Sequence, residues 1–73
     1  MLITIKLYGS YQIGRFDCAV REYPEGCPVG TIVDELQISR EYLIRLKNGV
    51  HVPPDEPLQE GDTLSLLPML DGG

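Results

Sequence analysis

PEGCPVGTIVDELQI, residues 24–38, decides the fold class, because the apolar period of the chain changes there. Val29, Ile32, Val33 and Leu36 stand at i, i+3, i+4 and i+7, one stripe of a short amphipathic helix. Pro28 fits the first helical turn, where its missing N–H costs nothing. Gly30 weakens the helix locally, so a later start capped by Thr31 stays open. Either way the helix must bury its stripe against something, and its flanks supply a sheet.

Upstream, LITIKLY (residues 2–8) puts Ile3, Ile5 and Leu7 on one face and Thr4 and Lys6 on the other, the period of a half-buried strand. YGSYQIGR (residues 8–15) carries Gly9, Ser10 and Gly14 and reads as a turn-rich loop. RFDCAVREY (residues 15–23) alternates Phe16, Cys18 and Val20 against Asp17 and Arg21, which predicts a second strand with Phe16, Cys18 and Val20 facing the core. Downstream, REYLIRLKNGVHVPP (residues 40–54) reads as a strand, an Asn48-Gly49 turn and a short strand. Pro53 and Pro54 end that pairing, since neither donates a ladder hydrogen bond. DEPLQEGDTLSLLPML (residues 55–70) holds a turn at Glu60-Gly61-Asp62 and a last strand with Leu64 and Leu66 on one face. The order is β-β-α-β-β-β, an α+β chain of 73 residues and the length of one domain.

Apolar residues make up 42% and charged residues 23%, which argues for a packed fold over disorder. The net charge of -5 has the wrong sign for a phosphate-backbone binder, so nucleic acid is not an expected partner. It suits a basic partner, or solubility alone. No apolar run approaches the roughly 20 residues of a membrane span, so no membrane role is expected. MLITIKLYGS has no basic region before its apolar stretch, so no signal peptide is expected and the cytoplasm is the expected location.

Cys18 and Cys27 are too few for a disulfide framework or a Cys-only metal site, and His51 is the sole histidine. No metal site is expected. Cys18 reads as a small core residue, and Cys27, just ahead of the helix, as an inert thiol. His51 lies beside prolines with no third group to orient it, which suits a surface residue. Asp55, Glu56, Glu60 and Asp62 cluster at turns, where carboxylates serve the backbone, and they lack the alternating spacing of a calcium loop. Gly9 and Gly14 do not follow a phosphate-binding fingerprint. The chain has no catalytic constellation of its own.

What remains is the end of the sequence, Gly72-Gly73. A C-terminal carboxylate becomes reactive once adenylated, and sulfur or an amine can then attack it. Side chains would block the passage of such an end into a partner's active site, and two glycines present none. Asp71 and Gly72 would thread and Gly73 would carry the reacting carbonyl.

KNGVHVPPDEPLQEGDTLSLLPMLDGG (residues 47–73) resembles the C-terminal half of the MoaD/ThiS family of ubiquitin-like sulfur carriers, which includes the molybdopterin synthase small subunit and the thiamine sulfur carrier. The matching elements are Asn48-Gly49, the valine and proline after it, Leu58, Gly61-Asp62, the apolar strand, Pro68 and Gly72-Gly73. YPEGCPVGTIVDELQI (residues 23–38) resembles the family's Pro-Glu-Gly followed by an apolar helix. Three positions depart: Met69 stands where molybdopterin synthase subunits usually carry a second proline, Asp71 where a small or neutral residue is common, and Pro28 where threonine is usual. The resemblance implies a β-grasp fold, a mixed sheet of four to five strands wrapping one main helix, with first and last strands adjacent and parallel. It implies a carrier and not an enzyme, with no bound cofactor and with ATP consumed by a partner. That partner would resemble the ubiquitin-activating enzymes, and the sulfur would pass on through a molybdopterin synthase large subunit or a thiazole synthase. A protein modifier joined to targets through Gly73, and a plain β-grasp interaction module, are the other two readings.

If Leu64 and Leu66 point inward, Leu67 points outward, and Leu67, Pro68, Met69 and Leu70 become the expected partner contact. Pro68 is expected to weaken strand pairing at or just after Leu67, and the end from about Asp71 to be flexible.

Overall fold

The computed structural model describes residues 1–69. Five strands, β1 (Leu2–Leu7), β2 (Cys18–Glu22), β3 (Leu43–Lys47), β4 (Val50–His51) and β5 (Thr63–Pro68), form one mixed sheet in the order β2-β1-β5-β3-β4. β1 and β5 pair in parallel, with Ile5 opposite Leu64 and Leu7 opposite Leu66, and the other neighbours are antiparallel. One helix, α1 (Val29–Glu35), lies on the sheet among the described residues. The element order matches the sequence pattern, and the architecture is the ubiquitin-like β-grasp. A 3-10 turn at Gly9–Gln12, inside the loop after β1, was not expected. No helix among the described residues is long and apolar enough to cross a membrane.

The core follows from the two periods. Ile3, Ile5 and Leu7 from β1, Leu64 and Leu66 from β5 and Leu43 from β3 face Val29, Ile32, Val33 and Leu36 of the helical stripe. Tyr23, Cys27, Ile38, Val52 and Leu58 close the edges of this layer from the loops.

β2 corrects the sequence reading. Cys18 and Val20 are exposed on the outer face, and Phe16 only flanks the core. Register explains the inversion: Ile5 pairs with Ala19 and Ile3 with Arg21, so Ala19 and Arg21 share the inner face. β2 is an edge strand, and on its inner row Arg21 reaches a polar group of the helix. Arg21 lies 3.5 Å from Glu35 of α1 and 4.8 Å from the Phe16 ring centroid. Apolar residues on the outer row therefore misled the alternation.

Both helix ends are satisfied without side-chain N-caps. Pro28 is the extended N-cap residue and Val29 the first helical one, which excludes the later start at Thr31. The N–H groups of Val29 and Gly30 donate to Glu56 O at 2.9 Å and Pro54 O at 2.7 Å, so the residue 54–56 loop caps the helix. Gly30 is what lets that loop approach: a Cβ there would sit 2.5 Å from the Arg40 guanidinium and 3.1 Å from Pro54 O. Gly30→Ala should cost up to about 1 kcal/mol: the Arg40 guanidinium can swing clear, but the Pro54 carbonyl, 3.1 Å away, must shift, which offsets the roughly 1 kcal/mol gained in helix propensity. Urea denaturation checks this, and a variant more stable than the parent would show that the loop yields freely.

At the other end Gln37 takes φ 59°, and the Ile38 and Gln37 N–H groups return to Val33 O and Asp34 O. This is a Schellman closure with glutamine in the left-handed position. Arg15 then covers the last carbonyls, donating to Leu36 O at 2.9 Å and Gln37 O at 3.3 Å.

Candidate functional site

The site expected from sequence is the root of the C-terminal end, where β5 leaves the sheet. Leu64 and Leu66 are fully buried, so period two turns Ser65 and Leu67 to the outer face as expected. Leu67 is half-buried there, directly across from Ile44 of β3. Met69 is exposed, and Pro68 lies between the two extremes. Leu70, Asp71, Gly72 and Gly73, with the expected flexibility from about Asp71, lie outside the described residues.

Pairing does not weaken at Leu67. Pro68 pairs with Leu43, and the Met69 N–H donates to Tyr42 O at 2.6 Å. Alternate residues of a strand address alternate neighbours, and Leu66 faces β1, accepting from the Tyr8 N–H at 3.2 Å. Pro68 faces the same way, where β1 has already turned off into the Gly9 turn, so its missing N–H leaves no acceptor stranded. The odd-numbered residues keep the β3 ladder through Met69.

This geometry brings Tyr8 (41% exposed), Tyr42 (67%) and Met69 (48%) to the same end of the sheet as Leu67 and Ile44. Sequence reasoning missed Tyr8, Tyr42 and Ile44. Strand order alone makes them neighbours, and no single segment carries that signal. An exposed apolar group of this kind suits contact with another protein.

The other candidates resolve into structure. Asp62 accepts from Asn48 Nδ2 at 2.9 Å and from the Gln59 N–H at 2.8 Å, while Asn48 Oδ1 accepts from the Thr63 N–H at 2.9 Å. Asn48 and Gly49 have φ 51° and 83°, so this network locks the β3–β4 turn against the start of β5. Glu60 accepts from the Leu2 N–H at 2.9 Å, and Glu56 pairs with Lys47. Asp55 and His51 are exposed, with His51 opposite Leu46 on the outer face. Cys27 is buried, and burial first, then the nearby Glu35 charge, pushes its thiol above the ordinary 9.0. That is the opposite of a reactive thiolate. Tyr23 is pushed up to about 12 by burial and by the hydrogen bond it donates to Glu35 at 2.7 Å. Among the described residues no three His, Cys, Asp or Glu side chains converge as metal ligands would. A shallow recess lined by Arg15, Phe16, Arg21 and Glu35 offers no spare cation, because Arg15 serves carbonyls and Arg21 serves Glu35.

The Asn48–Asp62 lock has an acid signature. Burial alone would raise the Asp62 carboxyl, but the hydrogen bonds from Asn48 and Gln59 and the Lys47 charge outweigh it and hold it below the ordinary 3.8. The folded state therefore favours the carboxylate. This contribution is complete above the ordinary value and lost as pH falls through the lowered one. Asp62→Asn should be less stable than the parent at pH 7, with the gap closing as the pH drops below 4. Denaturation midpoints at pH 7 and pH 3 test it; an unchanged gap would assign the loss to packing.

The model of the ThiS family matches residues 5–73, nearly the whole chain. No curated protein sequence matches it. Among solved structures the chain is similar to SAMP1 from Haloferax volcanii, at 21% identity and a TM-score of 0.80 over 100% of both chains. It is similar to a putative molybdopterin converting factor subunit 1 from Pyrococcus furiosus, at 22% identity and a TM-score of 0.79 over 96% of this chain and 99% of that one. A protein in the complex of subunits 1 and 2 of the Helicobacter pylori molybdopterin-converting factor aligns over 100% of both chains, at 21% identity and a TM-score of 0.70. Likeness at this identity speaks for the fold, and the family match speaks for kinship: the chain belongs to the ThiS family of small ubiquitin-like sulfur carrier proteins.

Proposed function

We propose that Gly73 is adenylated by an ATP-dependent partner resembling the ubiquitin-activating enzymes and is then converted to a thiocarboxylate. In the first step a carboxylate oxygen of Gly73 attacks the α-phosphate of ATP and pyrophosphate leaves. Hydrosulfide supplied by the partner then attacks the acyl carbon, the C–O bond to AMP breaks, and loss of the S–H proton leaves the thiocarboxylate. The sulfur passes to a precursor of molybdopterin, of thiamine thiazole or of a related cofactor, with a molybdopterin synthase large subunit or a thiazole synthase as the receiving partner. ATP belongs to the partner and the chain binds no cofactor itself. The setting is the cytoplasm, where ATP is available, and neither nucleic acid nor membrane takes part. The observation that carries this reading is the family match, which runs through Gly72-Gly73 to residue 73.

The outer face around Leu67, Ile44 and Met69 is the docking surface in this reading, with Pro68 beside it. The named assembly of subunits 1 and 2 around a structural neighbour supports a large-subunit partner. The neighbour named as a small archaeal modifier protein supports a second use of the same activated end, an amide to a lysine of a target protein. A plain interaction module is the third reading, in which the glycines do nothing.

Intact mass separates the three. Protein from sulfur-supplied cells should include a species heavier by one oxygen-to-sulfur exchange. Conjugates without that species favour the modifier, and neither species favours the module.

A further inference from the structure

We propose that Lys6 is an acyl-acceptor site, the amine of this chain to which the activated C-terminal glycine of a second copy is joined. This rests on the activation of Gly73 set out above. The sequence holds only two lysines, Lys6 and Lys47, so with the α-amine of Met1 three amines compete.

Two of the three are engaged. Lys47 Nζ is paired with Glu56, also reaches Pro57 O at 3.4 Å, and has a side chain only 22% exposed. The hydrogen bond to Glu56, outweighing burial, holds the amine protonated beyond its ordinary range, and an ammonium has no lone pair with which to attack. The Met1 amine donates to Tyr23 O at 2.7 Å and is partly buried. Lys6 is different: it is exposed and forms no ion pair or side-chain hydrogen bond among the described residues.

Its surroundings suit an extended glycine end. Lys6 lies on the outer row of β1, directly across from Cys18 on one side and Ser65 on the other. Thr4 precedes it on the same row. These are small side chains without charge, so they neither block an approaching backbone nor hold the amine in an ion pair. The reaction balances with AMP as the leaving group. Neutral Lys6 Nζ attacks the Gly73 acyl carbon of the second copy's adenylate, the C–N bond forms, the C–O bond to AMP breaks, and the nitrogen loses a proton to water.

The location has a consequence. Ser65 faces Lys6, and Leu67 is the next outward residue of β5, so a chain joined at Lys6 covers the docking face. The copy that accepts is thereby withdrawn from activation, and self-conjugation stops at short products.

Two measurements test this. Limiting acetyl N-hydroxysuccinimide ester near pH 7, followed by peptide mapping of the full chain, should label Lys6 ahead of Lys47 and the α-amine. Equal labelling would overturn the ranking. In cells that produce the sulfurated species, the parent should also yield a dimer with one Gly73–Lys6 isopeptide bond. Lys6→Arg should lose the dimer and keep the sulfurated species, and Lys47→Arg should keep both. A dimer that persists in Lys6→Arg, or a sulfurated parent with no dimer, overturns the proposal and leaves the carrier reading intact. A parent with neither species brings down both.

Discussion

A chain lacking Gly72 and Gly73 should fold as the full chain does and carry no transferable sulfur at all. The fold half of this expectation follows from where the buried side chains stop. Leu66 is the last fully buried residue among those described, and the ladder beyond it ends at Met69, whose N–H meets Tyr42 O. Truncation after Asp71 leaves every one of these contacts in place, so stability should change by less than about 0.5 kcal/mol. The chemical half is all or none. Moving the terminal carboxylate back to Asp71 shortens the reach into a partner's active site by two residues, about 7 Å of extended chain. It also sets a β-carboxylate beside the acyl carbon that sulfur attacks in the proposed reaction. Intact mass of the truncated protein, made beside the parent in sulfur-supplied cells, should show the unmodified chain alone. The sulfurated mass in the truncated protein would disprove activation at Gly73, and loss of the fold would show that the end is part of the core.

How far the sequence could be read depended on whether a residue's surroundings were local. The stripe Val29, Ile32, Val33 and Leu36 named its own buried face because a helix repeats within one segment. β1 and β5 did so too, since both lie under the helix and alternate cleanly. β2 did not: its alternation of Phe16, Cys18 and Val20 was real, but it sits at the sheet edge, where register to β1 and the Arg21–Glu35 pair decide which row is inner. Pro68 was misjudged for a similar reason. Whether a missing N–H matters depends on which neighbour that N–H would face, and that is a property of strand order. The same holds for Gly30, whose role is set by Arg40 and Pro54 far along the chain. Around the candidate site, the outward row of Ser65 and Leu67 was legible from one strand. Tyr8, Tyr42 and Ile44 joined them only once β1, β3 and β5 were side by side.

Adjacent leucines of β5 should respond in opposite ways, and this separates docking from folding. Leu66 is 0% exposed in the centre of the core, so Leu66→Ala should cost about 2–5 kcal/mol through lost burial and the cavity it leaves. For a domain this small that is a large share of the whole. Leu67 faces outward, half-buried against Ile44, and Leu67→Glu should change stability by only about 1 kcal/mol or less, because the carboxylate can turn into water. Its effect on a partner should be far greater. The apolar group of Leu67, Ile44 and Met69 gains by leaving water on docking, and a glutamate at its middle must either be stripped of water without a partner charge or hold the surfaces apart. The chain already carries a net charge of -5, so the new charge also works against any acidic rim on the partner. Loss of about 2 kcal/mol or more is expected, roughly thirtyfold in Kd. Titration calorimetry against the proposed adenylating partner reads the affinity, and urea denaturation reads the stability. Leu67→Glu that binds as the parent does would move the docking surface off the outer face. Leu67→Glu that unfolds as readily as Leu66→Ala would mean that the outward row at this end of β5 is covered by the chain itself.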